Sequence, residues 1–275
     1  MTIPNRGNET SFTLSPTEAI GRLRIILLFS IVLWLGTWLA ILTHADRALL
    51  QEVNTSALLN AWHAALTRFS YWSLFVFYAF FIALIVYGIR SRRPLFKLIG
   101  LAYFYAQLFG TLILTYAIKI GCGRPRPLVM PGHDAMCLSP SFTHAFHSFP
   151  SSHAVNTGIG ALFILLLLRS RLAGLSAIAI ALSMALSRIA LSEHYLSDVL
   201  AGLALSAAVT SMVMRLYLLP RWQTIEADRA WQSVPGFNAV PPPRRYPVQV
   251  SHRGSPLPVD GGTGKAPAPS TPETA

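Results

Sequence analysis

Six stretches of the chain, at about 23–43, 70–89, 98–118, 154–168, 172–190 and 197–219, are almost free of charge and rich in Leu, Ile, Val, Phe and Ala. Crossing a bilayer as a helix takes roughly 20 mostly apolar residues. Five of the six reach or approach that length; the fourth fits only if it starts earlier or sits tilted. The pattern predicts an all-α integral membrane protein with six transmembrane helices. Arg22 and Arg24 precede the first stretch, as in a signal peptide. Its apolar core is longer than the roughly 7–15 residues of a signal segment, and five more stretches follow, so an uncleaved first helix is predicted.

Between the first two spans, residues 44–68 place Leu49, Leu50, Val53, Leu58, Leu59, Trp62 and Leu66 largely at intervals of three or four. That spacing predicts one or two amphipathic helices, either lying at the membrane surface or packed against the bundle. Residues 1–22 read as a polar cytoplasmic lead, 23–219 as the membrane domain and 220–275 as a Pro-rich cytoplasmic tail. Eleven of the 19 prolines fall in that tail, three of them consecutive at Pro241, Pro242 and Pro243. From about 232 onward it cannot bury enough apolar surface to offset its ordering entropy, and disorder is expected.

Charge refines this layout. Only 12% of residues are charged, yet the net charge is +11; soluble domains carry about 25% charge. Alternate loops place Arg6, Arg22, Arg24, Arg90, Arg92, Arg93, Lys97, Arg169, Arg171, Arg215, Arg221 and Arg229 on one side. Arg47, Arg68, Lys119, Arg124, Arg126 and Arg188 fall on the other. The excess on the first side obeys the positive-inside rule with both termini cytoplasmic. Basicity is therefore topology, and no base-reading motif suggests a nucleic-acid partner. Cys122 and Cys137 share a loop on the non-cytoplasmic side. There they could form a disulfide or remain two free thiols.

Three polar islands interrupt the apolar pattern, and the topology puts all three on that non-cytoplasmic face. In "KIGCGRPRP", 119–127, glycines and prolines end the helix and present Lys119, Arg124 and Arg126 from an irregular segment. Such cations can bind a phosphate or simply lipid headgroups. In "FPSSHA", 149–154, Pro150 suits a first helical turn, so the amides of Ser151, Ser152 and His153 form an anion site or merely a capped terminus. In "SRIALSEHYLSD", 187–198, Arg188 ends one span, Ser192 is placed to cap the next, and His194 and Asp198 stand at i and i+4. A carboxylate on one ring nitrogen would leave the other nucleophilic. So basic a cluster suits a dianion rather than a metal ion. Together the islands hold what metal-free phosphoryl transfer needs: positioned cations, an imidazole nucleophile and an imidazole acid.

K-x6-R-P at 119–127, P-S-x-H at 150–153 and S-R-x5-H-x3-D at 187–198 resemble the three signature motifs of the type 2 phosphatidic acid phosphatase family. The resemblance covers about 45–217 and implies a six-helix bundle with its active site at the non-cytoplasmic end. It implies that Lys119, Arg126 and Arg188 bind phosphate with Ser151 and the amide of Ser152. It further implies that His194 forms a phosphohistidine, that Asp198 orients it, and that His153 is the general acid. Ser152 stands where the family commonly has glycine. Arg124 lies outside the motifs as a possible accessory contact to a second phosphate or headgroup, and His133, His144 and His147 match nothing. The family is also similar to soluble vanadium-dependent haloperoxidases, from which the six spans set this chain apart.

The expectation is a lipid phosphate or diphosphate phosphatase of a bacterial inner membrane, acting at the periplasmic leaflet without a cofactor. Candidate substrates are undecaprenyl diphosphate, phosphatidylglycerol phosphate, phosphatidic acid and lipid A phosphates. A lipid phosphotransferase with the same site, or a non-catalytic anionic-lipid binder or transporter, are the alternatives. The sequence names no protein partner.

Overall fold

The structure is a computed structural model that describes residues 13–130, 137 and 139–232. His133, the first residues of the predicted lead and the tail from 233 onward lie outside the described residues. The chain divides into two units, Met1–Ala230 and Trp231–Ala275. Every helix belongs to the first except the last two residues of the last helix. The described residues form helices and one isolated antiparallel bridge, Thr13 with Leu168.

The helices in chain order are α1 Pro16–Leu42, α2 Ala45–Thr55, α3 Ala57–Arg90, α4 Pro94–Ala106 and α5 Thr115–Cys122, followed by α6 Ser152–Leu167, α7 Arg171–Ala190, α8 Leu196–Val213 and α9 Leu219–Gln232. π-Helical turns Gln107–Leu114 and Met214–Leu218 join α4 to α5 and α8 to α9 without a break. Five of the resulting rods are long and apolar enough to cross a membrane, while α6 is apolar but has 16 residues. At 1.5 Å per residue α6 is about 24 Å long, short of a roughly 30 Å hydrocarbon core. Large apolar side chains along α1, including Leu28, Phe29, Val32 and Leu35, are exposed, as an integral membrane protein's lipid-facing surface requires.

Three predicted boundaries are corrected. The polar lead does not run to residue 22: Ser15 and Glu18 form a capping box with Pro16 in the first turn, so α1 begins seven residues earlier than the composition suggests. The segment 44–68 is not a separate surface element. Residues 45–55 form α2, but 57–68 are the first turns of a continuous 34-residue α3, because no glycine or proline precedes Gly88. Leu49, Val53 and Leu59 pack onto Ala185, Ile189 and Val199, whereas Leu58 and Trp62 are exposed. Finally, Pro220 does not end the last helix, which runs on to Gln232. The π-helical turn before it widens the backbone where the proline ring would collide with the preceding carbonyl.

α6 is buried along nearly its whole length and packs on α7 and α8; α8 in turn carries α1 on its other side. An aromatic cluster of Phe77, Phe81, Tyr103 and Phe163 fills the middle, with Phe81 stacked on Tyr103 at 3.9 Å. At the end away from the polar islands, Arg22 donates to the carbonyl of Leu165 at 2.6 Å, near the C-terminus of α6, where a cation is favoured by the helix dipole. With that end fixed, the N-terminus of α6 is presented to the opposite end of the bundle.

Candidate active site

Lys119 sits in the last turn of α5. The helix stops at Gly123, whose φ of 56° is left-handed and whose N–H closes on the Lys119 carbonyl at 2.9 Å. A Cβ at Gly123 would lie 1.8 Å from the Ser139 carbonyl, so only glycine lets the loop fold back here. Cys122 and Cys137 are joined as a disulfide, which resolves the choice between bridge and free thiols. The returning loop is pinned further by Ser148 N–H on the Arg124 carbonyl at 3.0 Å and Arg126 N–H on that of Ala145 at 3.0 Å. Lys119 is thereby buried, and its ammonium donates to the carbonyls of His147 at 2.6 Å and Ser148 at 3.5 Å.

Arg124 and Arg126 part company. Arg126 ion-pairs with Glu193 and lies 3.1 Å from His144 Nε2. That guanidinium, with some burial, lowers the His144 pKa. Arg124 turns the other way. It donates to Asp198 Oδ1 at 2.6 Å, Ser197 Oγ at 2.7 Å and Asp46 Oδ2 at 2.9 Å, and its guanidinium lies 4.2 Å from the centre of the Tyr195 ring. The accessory phosphate or headgroup contact expected of Arg124 is therefore corrected, because two buried carboxylates occupy it. Burial opposes its charge, but those carboxylates outweigh burial and hold its pKa above the ordinary value.

The second island meets the third at the N-terminus of α6. Pro150 precedes the helix instead of opening it, and Ser151 is the N-cap, its Oγ accepting from Ala154 N–H at 3.5 Å. The Ser151 amide, expected to face an anion, instead donates to the Asp198 carbonyl at 3.0 Å. The amides of Ser152 and His153 remain first-turn donors with no intrahelical acceptor. Gly202 allows α8 to come this close: a Cβ there would lie 2.7 Å from the Ser151 carbonyl. His153 lies edge-on to Tyr71, with ring centres 6.4 Å apart.

In the third island α7 ends at Ala190 and α8 begins at Leu196. Ser192 does not cap α8 as expected. It takes a left-handed φ of 52° and donates to Asn54 at 2.7 Å, while Tyr195 is the N-cap, its N–H donating to Asp198 Oδ2 at 3.0 Å. His194 therefore precedes the helix rather than riding on it, yet its Nδ1 still lies 3.5 Å from Asp198 Oδ2. Ser148 donates to the same oxygen at 2.5 Å. Burial pushes the His194 pKa down to about 4, against the opposing pull of Asp198, so the imidazole is neutral at pH 7. Arg188 donates to Ser70 at 2.9 Å and lies 3.3 Å from Glu193 Oε2, the same oxygen that pairs with Arg126.

The structure thus gathers Lys119, Arg126, Ser151, Ser152, His153, Arg188, His194 and Asp198 at one end of the bundle and sets Arg124 behind them. Among the described residues, Arg126 Nε, Arg188 Nε, His153 Nε2 and His194 Nδ1 are buried nitrogens without a hydrogen-bond partner. Buried donors rarely stay unpaired; His194 Nδ1 faces Asp198, while the Nε–H groups of Arg126 and Arg188 suit an anion with several oxygens. Sequence reasoning missed Asp46, Ser70, Ser148 and Glu193, and it set aside His144 and His147, both of which touch the site's cations. Only Glu193 carried a signal, as a carboxylate beside His194.

A family model, the PAP2 superfamily, matches residues 98–222. The Lipid A 1-phosphatase of Rhizobium johnstonii is 38% identical over 111 residues, covering 40% of this chain and 44% of that protein. That of Rhizobium etli is 34% identical over 122 residues, covering 42% of this chain and 51% of that protein. The chain spans about half the length of the curated relatives it matches. A solved transmembrane PAP2 type phosphatidylglycerolphosphate phosphatase from Bacillus subtilis overlays with a TM-score of 0.46 at 20% identity, over 70% of this chain and 94% of that one. The motifs and the family match cover the same ground: residues 98–222, with every motif residue from Lys119 to Asp198 inside them, are similar to the PAP2 superfamily.

Proposed function

We propose that the protein is a membrane lipid phosphatase that cleaves a phosphate monoester or diphosphate through a phosphohistidine on His194. The observation that carries this reading is the convergence of Arg126 and Arg188, from different motifs, on a single carboxylate oxygen of Glu193 beside His194. Two cations that meet at one anionic oxygen can do the same for a phosphate oxygen. In this reading Lys119, Arg126 and Arg188 neutralise the phosphoryl group, helped by Ser151 and the first-turn amides of α6. Neutral His194 attacks phosphorus through Nε2 while Asp198 steadies Nδ1. The bond to the leaving oxygen breaks, and that oxygen takes a proton from His153. Water then attacks the phosphohistidine, returning its proton to His153 and freeing His194 with orthophosphate.

The charge needed in the transition state comes from the three side-chain cations, so the chemistry asks for no metal or other cofactor. The named activity of the two rhizobial relatives supports a lipid A phosphate as substrate, alongside the diphosphate and glycerolipid phosphates named above. The distribution of Lys and Arg supports a topology with both termini in the cytoplasm and, with six spans, the site at the periplasmic leaflet. The test is phosphate release by the detergent-purified chain over a panel of these lipids in EDTA, with His194→Ala alongside. Release from one lipid class that vanishes in the variant is expected. Full activity in His194→Ala refutes the nucleophile, strict dependence on added magnesium refutes the metal-free step, and transfer to a lipid acceptor instead of water identifies a phosphotransferase.

A further inference from the structure

Among the described residues, Glu193 is the one anion that ion-pairs with the proposed phosphate-binding arginines, and it belongs to none of the three motifs. The turn Leu191–Tyr195 carries it. Left-handed Ser192 is tethered to Asn54, and the Glu193 amide donates to the Arg188 carbonyl at 3.1 Å, so the backbone under its side chain is fixed from both sides. The carboxylate is 33% exposed, whereas Arg126 and Arg188 are 13% and 4% exposed. It therefore caps the two guanidiniums from the solvent side. Both cations use the same oxygen, Oε2.

From this arrangement we infer that Glu193 is an internal competitor for the phosphate subsite: its carboxylate occupies the cations that a phosphate needs, and must be displaced when phosphate binds. This rests on the reading of Arg126 and Arg188 as phosphate ligands. The physical argument is one of charge and geometry. A carboxylate brings one negative charge, and here one oxygen serves both arginines. A phosphate monoester dianion brings two charges and three oxygens. It can meet Arg126, Arg188 and Lys119 together, with the partnerless Nε atoms of both arginines as further donors. The dianion wins, but by less than it would if the arginines stood free. The same competition acts on the orthophosphate left after turnover. Three cations in a buried cleft would hold that product tightly, and a tethered carboxylate returning to two of them speeds its exit. A brace offers the alternative role for the same contact: Glu193 holding the arginines in place, and favouring phosphate by doing so.

The two roles predict opposite signs. Orthophosphate is titrated into the full chain in detergent micelles by calorimetry, comparing the native protein with Glu193→Gln, which keeps the shape and removes the charge. Glu193→Ala is the second variant, since a partly exposed turn residue tolerates truncation should the amide disturb the turn. The expected result is tighter orthophosphate binding by roughly tenfold in both variants, matched by stronger product inhibition of phosphate release. Unchanged binding in the folded variants overturns the inference, and weaker binding overturns it and makes Glu193 a brace. Arg126→Gln separates this from the underlying reading, because it weakens orthophosphate binding if Arg126 is a phosphate ligand. If orthophosphate binds neither the native chain nor any variant, or binds unaffected by Arg126→Gln, the phosphate-site reading fails and this inference with it.

Discussion

Replacing Arg124 by Lys distinguishes bracing from substrate binding at the most heavily bonded cation of the site. The guanidinium spans three partners, with bonds of 2.6 Å to Asp198, 2.7 Å to Ser197 and 2.9 Å to Asp46, and it is stacked on Tyr195. Lysine keeps the charge but offers a point in place of a planar fork, so it can serve one carboxylate well and not both. Hydrogen bonds to charged groups are worth about 1.5–3 kcal/mol each, and a contact between cation and ring adds about 0.5–2 kcal/mol. Losing one bond and the stacking gives ~2–5 kcal/mol. Arg124→Met strands both carboxylates and costs at least the ~3–5 kcal/mol of a broken buried pair. Asp46→Asn, which leaves the fork in place, falls below both. The ranking is read as apparent Tm by intrinsic fluorescence in micelles. In the same samples, kinetics of phosphate release should show kcat down by roughly 10–100-fold with KM little changed, because a loosened Asp198 misplaces His194 without touching the phosphate. A raised KM with an unchanged Tm would refute this and make Arg124 a substrate ligand after all.

Two further outcomes follow from the burial of His194 and the location of the site. The His194 pKa falls from an ordinary 6.5 to about 4 in the fold, so the unfolded chain takes the proton first as pH drops. Its contribution is intact above pH 6.5, declines between 6.5 and about 4, and amounts to ~3 kcal/mol. His194→Asn should flatten the pH dependence of the apparent Tm in that window, and an equal slope in both proteins would show that other groups dominate. Deleting residues 233–275 should leave phosphate release within about twofold, since every site residue, from Asp46 to Asp198, precedes the deletion. A well-folded truncation without activity would show that the tail takes part.

How much of this was legible in the sequence depends on range. The apolar helices were, because hydropathy averages over many residues and a lipid-facing helix must be apolar throughout. Their ends were less so. Composition changes at residue 23 and Pro220, but backbone hydrogen bonding follows capping and π-widening, which carried α1 back to Pro16 and α9 on to Gln232. Lys119, Arg126, His153, Arg188, His194 and Asp198 were legible because each stands at a fixed short spacing within its island. Asp46 was not: it meets Arg124 from 78 residues away and Ser197 from 151. Ser70 likewise reaches Arg188 across 118 residues.

Arg124 and Arg126 sharpen the point. They are chemically identical and two residues apart, with a proline between them, and a sequence reading can only count both as cations beside a phosphate. What divides their labour is where the nearest carboxylates lie. Asp46 and Asp198 are buried behind the cleft and cannot remain ionised there without a cation, so one arginine is committed to them. Glu193 sits at the rim, partly in water, and its hold on the other arginine is correspondingly weak. A buried carboxylate fixes its arginine as structure, while in the proposed reading a partly exposed one leaves its arginine exchangeable for substrate. The depth of the partner, more than the identity of the arginine, therefore assigns the role.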